Sequence, residues 1–389
     1  MPGAGSGIDY GIDQLISRLP GHPGGRERGS VGGDPGRGAG QAQAAAAERR
    51  PRLARAVEWL LPWGARLLRG GYFRRGLERG VCRAIHRAAA RGTLYSFAPP
   101  PPLRLVAHGR GRFAADEYRF RSPFVSHIVE RNDAYLWHYR GDSPGRPLVI
   151  LNHGTGSFAL LPERYFVGRL LAAGLDVVLP AAPGFYRRRC ARDLRKEWAA
   201  TVGAALSAIV QLVHDNVAVE SWARRAGYRT VVVSGVGLGG TVAAVLAATT
   251  ARFDAYVPAL AGAHPGRLWL PPRPLARAVH HGALARAGVR HARALARLFD
   301  PVAPNRLPPP RSLGRCTVVG LRFDTLVPVG DVRDLAAHWR VVPLLLPRCH
   351  AELPVYAAEL VAIVADAARS ALTEGRALPS PPAACCDGS

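Results

Sequence analysis

Between Arg229 and Gly240 the chain reads R-T-V-V-V-S-G-V-G-L-G-G. A short apolar run, a cluster of glycines and then small residues spell a strand, a sharp bend and the start of a helix. The G-x-S-x-G nucleophile elbow has this form, with its serine exposed on a strained strand-to-helix turn. Laid over Gly235-Val236-Gly237-Leu238-Gly239, the pattern puts Gly237 where the serine belongs. Downstream, Asp324 in R-F-D-T-L-V-P and His350 in R-C-H keep the chain order nucleophile, acid, histidine that goes with such an elbow. Two members of a triad are read, and the third is absent.

The same stretch has two rival readings. Thr230 to Ala251 carries no charge and is flanked by Arg229 and Arg252, which has the length of a transmembrane helix. A buried parallel strand is apolar throughout, however, and the helix behind it packs on the same sheet, so their junction imitates a span. G-V-G-L-G-G also approaches the dinucleotide fingerprint G-x-G-x-x-G, but its glycines stand at 235, 237, 239 and 240, which misplaces the third.

Outward from the elbow the strand type repeats. Pro147–Asn152 (P-L-V-I-L-N), Leu175–Leu179, Ala255–Leu260, Cys316–Leu321 and Val341–Leu346 are short apolar runs, preceded by alternating runs at Glu117–Phe120 and Ala134–Tyr139. Helical stretches lie between them, the longest from about Asp193 to Arg225. Strands alternating with helices predict an α/β domain, a mostly parallel sheet covered by helices on both faces, over residues 103–370. Between 264 and 315 prolines break the rhythm around a helix predicted from about Leu275 to Phe299, which reads as a helical cap insertion.

The ends of the chain differ in kind. Residues 1–50, rich in Gly, Arg, Ala and Pro, lack periodicity and cannot bury enough surface to fold, so they read as a disordered tail, as do residues 371–389. Residues 51–98 read as a basic amphipathic helical segment, with Leu53, Val57, Leu60, Leu61, Leu67 and Leu68 among arginines. Over 52–91 this predicts either an arm for anionic membrane surfaces or organelle targeting, or helices packed on the main domain.

At 389 residues with 48% hydrophobic content the chain can bury a large core. Its net charge of +24 would point to nucleic acid or an anionic membrane. Yet Lys196 is the only lysine and Met1 the only methionine, a bias that GC-rich coding also produces. Nucleic acid is the weaker partner reading, because the aromatic interleaving of single-strand binders is sparse. Cys82, Cys190, Cys316, Cys349, Cys385 and Cys386 have no paired C-x-x-C spacing, so no metal site is read and no cofactor is called for. The opening M-P-G-A-G-S-G-I-D-Y lacks a basic start and apolar run, which with reduced thiols predicts an intracellular protein.

In an esterase built on such an elbow, backbone N–H groups hold the oxyanion. One comes from the residue after the nucleophile, here Leu238. Another comes from the turn after the Pro147–Asn152 strand, where Asn152-His153-Gly154-Thr155-Gly156-Ser157 stands and Gly154 and Thr155 are the candidates. His153 reads as structural, shaping that turn. No other residue reads as the nucleophile: Ser234 lies below the apex of the turn, Thr241 should point from the helix into its packing, and Cys349, although it adjoins the histidine, is favoured neither by geometry nor by the elbow's oxyanion donors.

R-F-R-S-P around Arg121, H-G-T-G at His153, W-A-R-R-A-G-Y ending at Tyr228, D-T-L-V-P-V-G-D-V-R-D-L from Asp324 and H-A-E-L from His350 resemble the α/β-hydrolase domain-containing protein 18 family, over about Phe120 to Ala367. The resemblance implies an α/β-hydrolase fold with a serine nucleophile acting on acyl esters of lipids, with Gly237 at the serine's position, Asp324 as acid and His350 as base. The chain departs from the family where Gly237 and Leu238 replace a Ser-Met pair, where Cys349 replaces a glycine and where Ser157 replaces an acidic residue. The sequence thus predicts a pseudoenzyme of the serine hydrolases, binding an acyl or lipid-like ligand or a partner. Two alternatives stay open: an active carboxylic-ester or lipid acyl hydrolase with an unrecognised nucleophile, and a basic protein for nucleic acid or anionic membranes, which steep salt dependence would single out.

Overall fold

The structure is a computed structural model that describes residues 71–109, 114–155, 161–188 and 198–377. The tail read at 1–50, the basic segment up to residue 70, Gly156, Ser157, Cys190 and residues 378–389 lie outside these.

In chain order the regular elements are α1 (Arg79–Ala90), β1 (Arg104–Ala107), β2 (Asp116–Arg121), β3 (Asp133–Tyr139), β4 (Leu148–Asn152), α2 (Leu161–Ala172), β5 (Asp176–Pro180), α3 (Val202–Arg225), β6 (Val231–Val236), α4 (Leu238–Thr249), β7 (Ala255–Ala259), α5 (His281–Arg286), α6 (Ala292–Leu298), β8 (Val319–Leu321), α7 (Val329–Trp339), β9 (Leu344–Leu346) and α8 (Leu353–Ala377). The strands form one sheet in the order β1-β2-β3-β5-β4-β6-β7-β8-β9. β1, β2, β3 and β5 pair antiparallel in succession, and from β5 through β4, β6, β7 and β8 to β9 every pairing is parallel.

Apolar runs without alternation, such as P-L-V-I-L-N, arise because both faces of the sheet are covered. Leu148 and Ile150 of β4, with Val231 and Val233 of β6, enter the core beneath α1, α3, α4 and α7. Their neighbours Val149, Leu151 and Val232 enter a second core with α2 and α8. α3 is long and apolar enough to cross a membrane, but its apolar window is wholly buried inside the domain. Thr230–Ala251 is a strand and a helix divided at Gly237, not a span.

Several boundaries differ from the sequence reading, each for a local reason. α3 starts at Val202, where the Thr201 side chain accepts from the Ala204 N–H and caps the helix; Trp198–Ala200 before it are not helical, and 193–197 are outside the described residues. The helix expected from Leu275 to Phe299 is broken into a 3-10 turn at Pro274–Ala278 and the short α5 and α6, with Gly288 at φ 86° between the last two. Side-chain pattern could not reveal that a glycine there takes a left-handed turn. The C-terminal helix runs to Ala377, past residue 370, and its Ala368 and Ala371 still pack into the second core. Within the segment read as a basic helix, only Arg79–Ala90 of the described residues is helical. Its Cys82 and Ile85 are buried, Arg83 and Arg87 face solvent, and Arg79 and His86 hydrogen-bond the carbonyls of Ala287 and Leu298.

Candidate active site

At the end of β6 the backbone turns through Gly237 at φ 61°, ψ −109°, and the helix α4 starts at Leu238. That conformation is one L side chains rarely adopt. The Gly237 N–H donates to the Ala259 carbonyl at 3.1 Å, and its carbonyl accepts from the Thr241 N–H and hydroxyl at 2.9 and 3.1 Å.

The glycines of the turn have different reasons to be there. A Cβ on Gly239 would lie 2.1 Å from the Asn152 carbonyl oxygen, so helix and strand meet there only because that side chain is missing. A Cβ on Gly237 would meet no described residue within 4 Å other than its chain neighbours. Among the described residues, contact demands glycine at Gly239, whereas at Gly237 only the dihedral favours it.

The neighbouring strand end is built to face this turn. Asn152 and Asn216 of α3 exchange side-chain amide hydrogen bonds at 2.9 Å, and the Asn152 amide also donates to the Ser234 carbonyl. The chain then passes through His153, whose ring is 3% exposed. Its Nδ1–H donates to the Gly154 carbonyl at 2.9 Å, and its Nε2 accepts from the Ala182 N–H at 3.1 Å. Phe185 and Tyr186 pack edge-on against it. Burial holds this imidazole down at about 4, so it is neutral near pH 7. Gly154 comes so close to the elbow that a Cβ on it would lie 3.2 Å from the Val236 carbonyl oxygen.

Asp324 follows β8 and has a fully buried side chain. One carboxylate oxygen accepts from the Leu326 and Val327 N–H groups at 2.8 and 2.9 Å, the geometry of an Asx-turn, and the other meets His350 Nδ1 at 3.0 Å. His350 stands in a 3-10 turn after β9 with a quarter of its side chain exposed. Since β4, β6, β8 and β9 run parallel, the His153–Thr155 turn, Gly237, Asp324 and His350 all leave the sheet at its carboxyl edge, where α/β sheets hold their ligands.

The residues that could replace the nucleophile are placed elsewhere. Ser234 is fully buried within β6 and donates to the Val257 carbonyl at 2.9 Å. Thr241 is buried with its hydroxyl on the Gly237 carbonyl. Cys349 is 0% exposed. Among the described residues no three His, Cys, Asp or Glu side chains group as a metal site.

A polar network beneath the turn was not visible in the sequence. Arg188 and Asp215, each 1% exposed, pair at 2.6 Å; Ser122 also donates to Asp215, and Arg188 donates to the carbonyls of Ala181 and Arg131. Because Ala182 supplies the N–H that His153 accepts, the ion pair, the turn after β5, His153 and Gly154 form one chain of contacts. The serine of R-F-R-S-P was the only sequence signal for it.

No curated protein matches this chain in sequence. Among solved structures it is similar to a cold-adapted esterase from an Arctic intertidal metagenomic library, at 15% identity over 68% of this chain and 97% of that one with a TM-score of 0.45. It is also similar to acetyl xylan esterase from Paenibacillus sp. R4, at 14% identity over 71% and 90% with a TM-score of 0.46. A third such structure is acetyl xylan esterase 1 from Thermoanaerobacterium sp. JW/SL YS485, at 15% identity over 76% and 98% with a TM-score of 0.44. At such scores the strand order and the elbow themselves, rather than these neighbours, carry the fold. Residues 123–266, which hold the His153 turn, α3 and the elbow and end before Asp324, match the model of the family alpha/beta hydrolase domain containing 18.

Proposed function

We propose that this protein is a catalytically inactive relative of the serine ester hydrolases that keeps a ligand-receiving site at the Gly237 elbow. The observation that carries the reading is Gly237 itself, at a positive-φ strand-to-helix apex where a side chain would meet no described residue beyond its chain neighbours. Asp324 and His350 are then a vestigial acid–base pair, and the N–H groups of Thr155 and Leu238, beside Gly154, are the remaining oxyanion donors. Without a nucleophile the acyl-enzyme route is closed: its loss from a triad typically lowers turnover about a millionfold. Glycine at such a dihedral also relieves about 1–3 kcal/mol of backbone strain, so losing catalysis favours the fold. The ligand expected is acyl or lipid-like.

The reading of an active ester hydrolase with another nucleophile is disfavoured by the burial of Ser234, Thr241 and Cys349. The test is covalent labelling of the wild-type protein with an organophosphorus ester that traps activated serines. No labelling is expected. Labelling that His350→Ala removes would show a working nucleophile and refute inactivity.

A further inference from the structure

We propose that the cap insertion carries a binding site for a small organic phosphate monoester, separate from the elbow and independent of the reading of Gly237. Three observations carry it. The first is a cavity of about 580 Å³, lined by residues between 271 and 282, from the Pro271–Pro272 turn to the start of α5. Small-molecule sites occupy about 300–1,000 Å³. None of Gly154, Gly237, Asp324 and His350 lines this one.

The second is the chemistry of the wall. Arg273, Arg277, His280 and His281 line the cavity, and no acidic residue stands among the described residues that do. The surrounding chain does not balance this charge: between Asp254 and Asp300 it carries seven arginines and no acidic residue. Both terminal nitrogens of Arg273 donate to the buried Asp331 carboxylate, which fixes that guanidinium in place without using all its N–H groups. Guanidinium forks match the oxygens of phosphate and carboxylate alike. A phosphate monoester is the better match for a wall of four such side chains, because it brings a charge of about −1.5 to −2 near pH 7 and three strong acceptor oxygens.

The third is that the frame is fixed and half apolar. The Tyr72 N–H donates to the Ala278 carbonyl at 2.7 Å and the Tyr72 carbonyl accepts from the His280 N–H at 3.0 Å, which pins the chain on both sides of Val279. A Cβ on Gly71 would lie 3.0 Å from His280 Nε2, so the imidazole is seated over a glycine that leaves it room. The His281 Nε2–H donates to the Ala276 carbonyl at 3.1 Å. Ala276 and Val279 are buried, and Pro271 and Pro272 stand exposed at the rim. This apolar part of the wall meets the organic group of an ester and would be wasted on free phosphate. The volume takes one small ester and not the chains of a diacyl lipid, and no bond is made or broken.

The experiment titrates the full chain by calorimetry with phenyl phosphate, inorganic phosphate, benzoate and dioctanoyl phosphatidic acid, at about 0.15 M salt, where attraction between distant surface charges is largely screened. Phenyl phosphate is expected to bind at least about tenfold more tightly than inorganic phosphate, through its ring, and than benzoate, through its charge. Arg277→Ala and His281→Ala, both at exposed positions and checked for folding by thermal unfolding, are each expected to weaken phenyl phosphate about tenfold or more. Arg297→Ala removes an exposed arginine of α6 outside the cavity and should leave binding unchanged. Equal weakening by Arg297→Ala would reduce the effect to general charge attraction and overturn the site. So would binding that both cavity variants keep, benzoate binding as tight as phenyl phosphate, or no binding of phenyl phosphate. Inorganic phosphate binding as tightly as the ester would refute the role of the apolar wall, and tighter binding of phosphatidic acid would assign the site to a lipid headgroup; either result overturns the small-ester assignment.

Discussion

Acidification from pH 7 to pH 5 should weaken the fold through two buried histidines. His153 sits under the oxyanion-side turn, with its ring nitrogens on the Gly154 carbonyl and the Ala182 N–H. His138 is 5% exposed, and its Nε2–H donates to the Tyr228 hydroxyl, which itself donates to Asp176. Its Nδ1 is buried without a partner among the described residues, so protonation there would bury an unsatisfied N–H. Burial holds both imidazoles down at about 4, against 6.5 for an ordinary histidine. The native state therefore refuses a proton that the unfolded chain accepts. The stabilisation is whole above pH 6.5 and is lost as pH falls towards 4, about 3 kcal/mol per histidine in full and about 2 kcal/mol of it by pH 5. His214 and His264 are also pushed down by burial and add in the same direction. Urea unfolding at pH 7, 6 and 5 measures the loss, and His138→Gln should shrink the decrement between pH 7 and 5 by about 2 kcal/mol. Stability that is flat across this range, or a decrement unchanged in His138→Gln, would refute the reasoning.

Other outcomes follow from the same contacts. Asp215→Ala leaves the Arg188 guanidinium buried without its 2.6 Å partner and should cost about 3–5 kcal/mol in denaturant unfolding; a loss below about 1 kcal/mol would mean that the pair is not a strut. Gly239→Ala should destabilise more than Gly237→Ala, since the first Cβ meets the Asn152 carbonyl at 2.1 Å and the second meets no described residue beyond its chain neighbours, leaving only a strain of about 1–3 kcal/mol. Equal thermal shifts would contradict that division. For the basic arm we propose peripheral binding to anionic surfaces. Its deletion must stop before residue 71, because Phe73, Cys82 and Ile85 belong to the core. Removing residues 1–70 should abolish sedimentation with anionic vesicles, and undiminished sedimentation would exclude the arm as the cause.

How much of this was legible depended on whether the signal was local. The elbow could be read because four glycines and an uncharged flank must lie together in sequence to make the turn. The parallel strands were legible because double-sided burial removes their polar residues. Asp324 and His350 were named by chain order alone, and their contact at 3.0 Å joins two separate strand ends that no spacing rule connects. β1, R-L-V-A, was missed because four residues are too few to show an alternating or continuous run, and none of the four is buried. The Arg188–Asp215 pair was missed because a buried ion pair in an arginine-rich chain looks like any solvated charge until α3 brings Asp215 against the turn after β5. The helix expected over Leu275–Phe299 failed because composition alone does not show where a glycine reverses the chain.

The central claim is that one missing side chain stops catalysis, and its most direct measurement is the rate of hydrolysis of short activated esters by Gly237→Ser. If the Thr155 and Leu238 donors and the Asp324–His350 pair, held at 3.0 Å, are in working geometry, the variant should gain at least about a hundredfold over wild type, the low end of what a positioned general base supplies, and His350→Ala added to it should abolish the gain. Wild-type turnover at enzyme-like rates, lost with His350→Ala, or a folded Gly237→Ser protein with no gain, would contradict it.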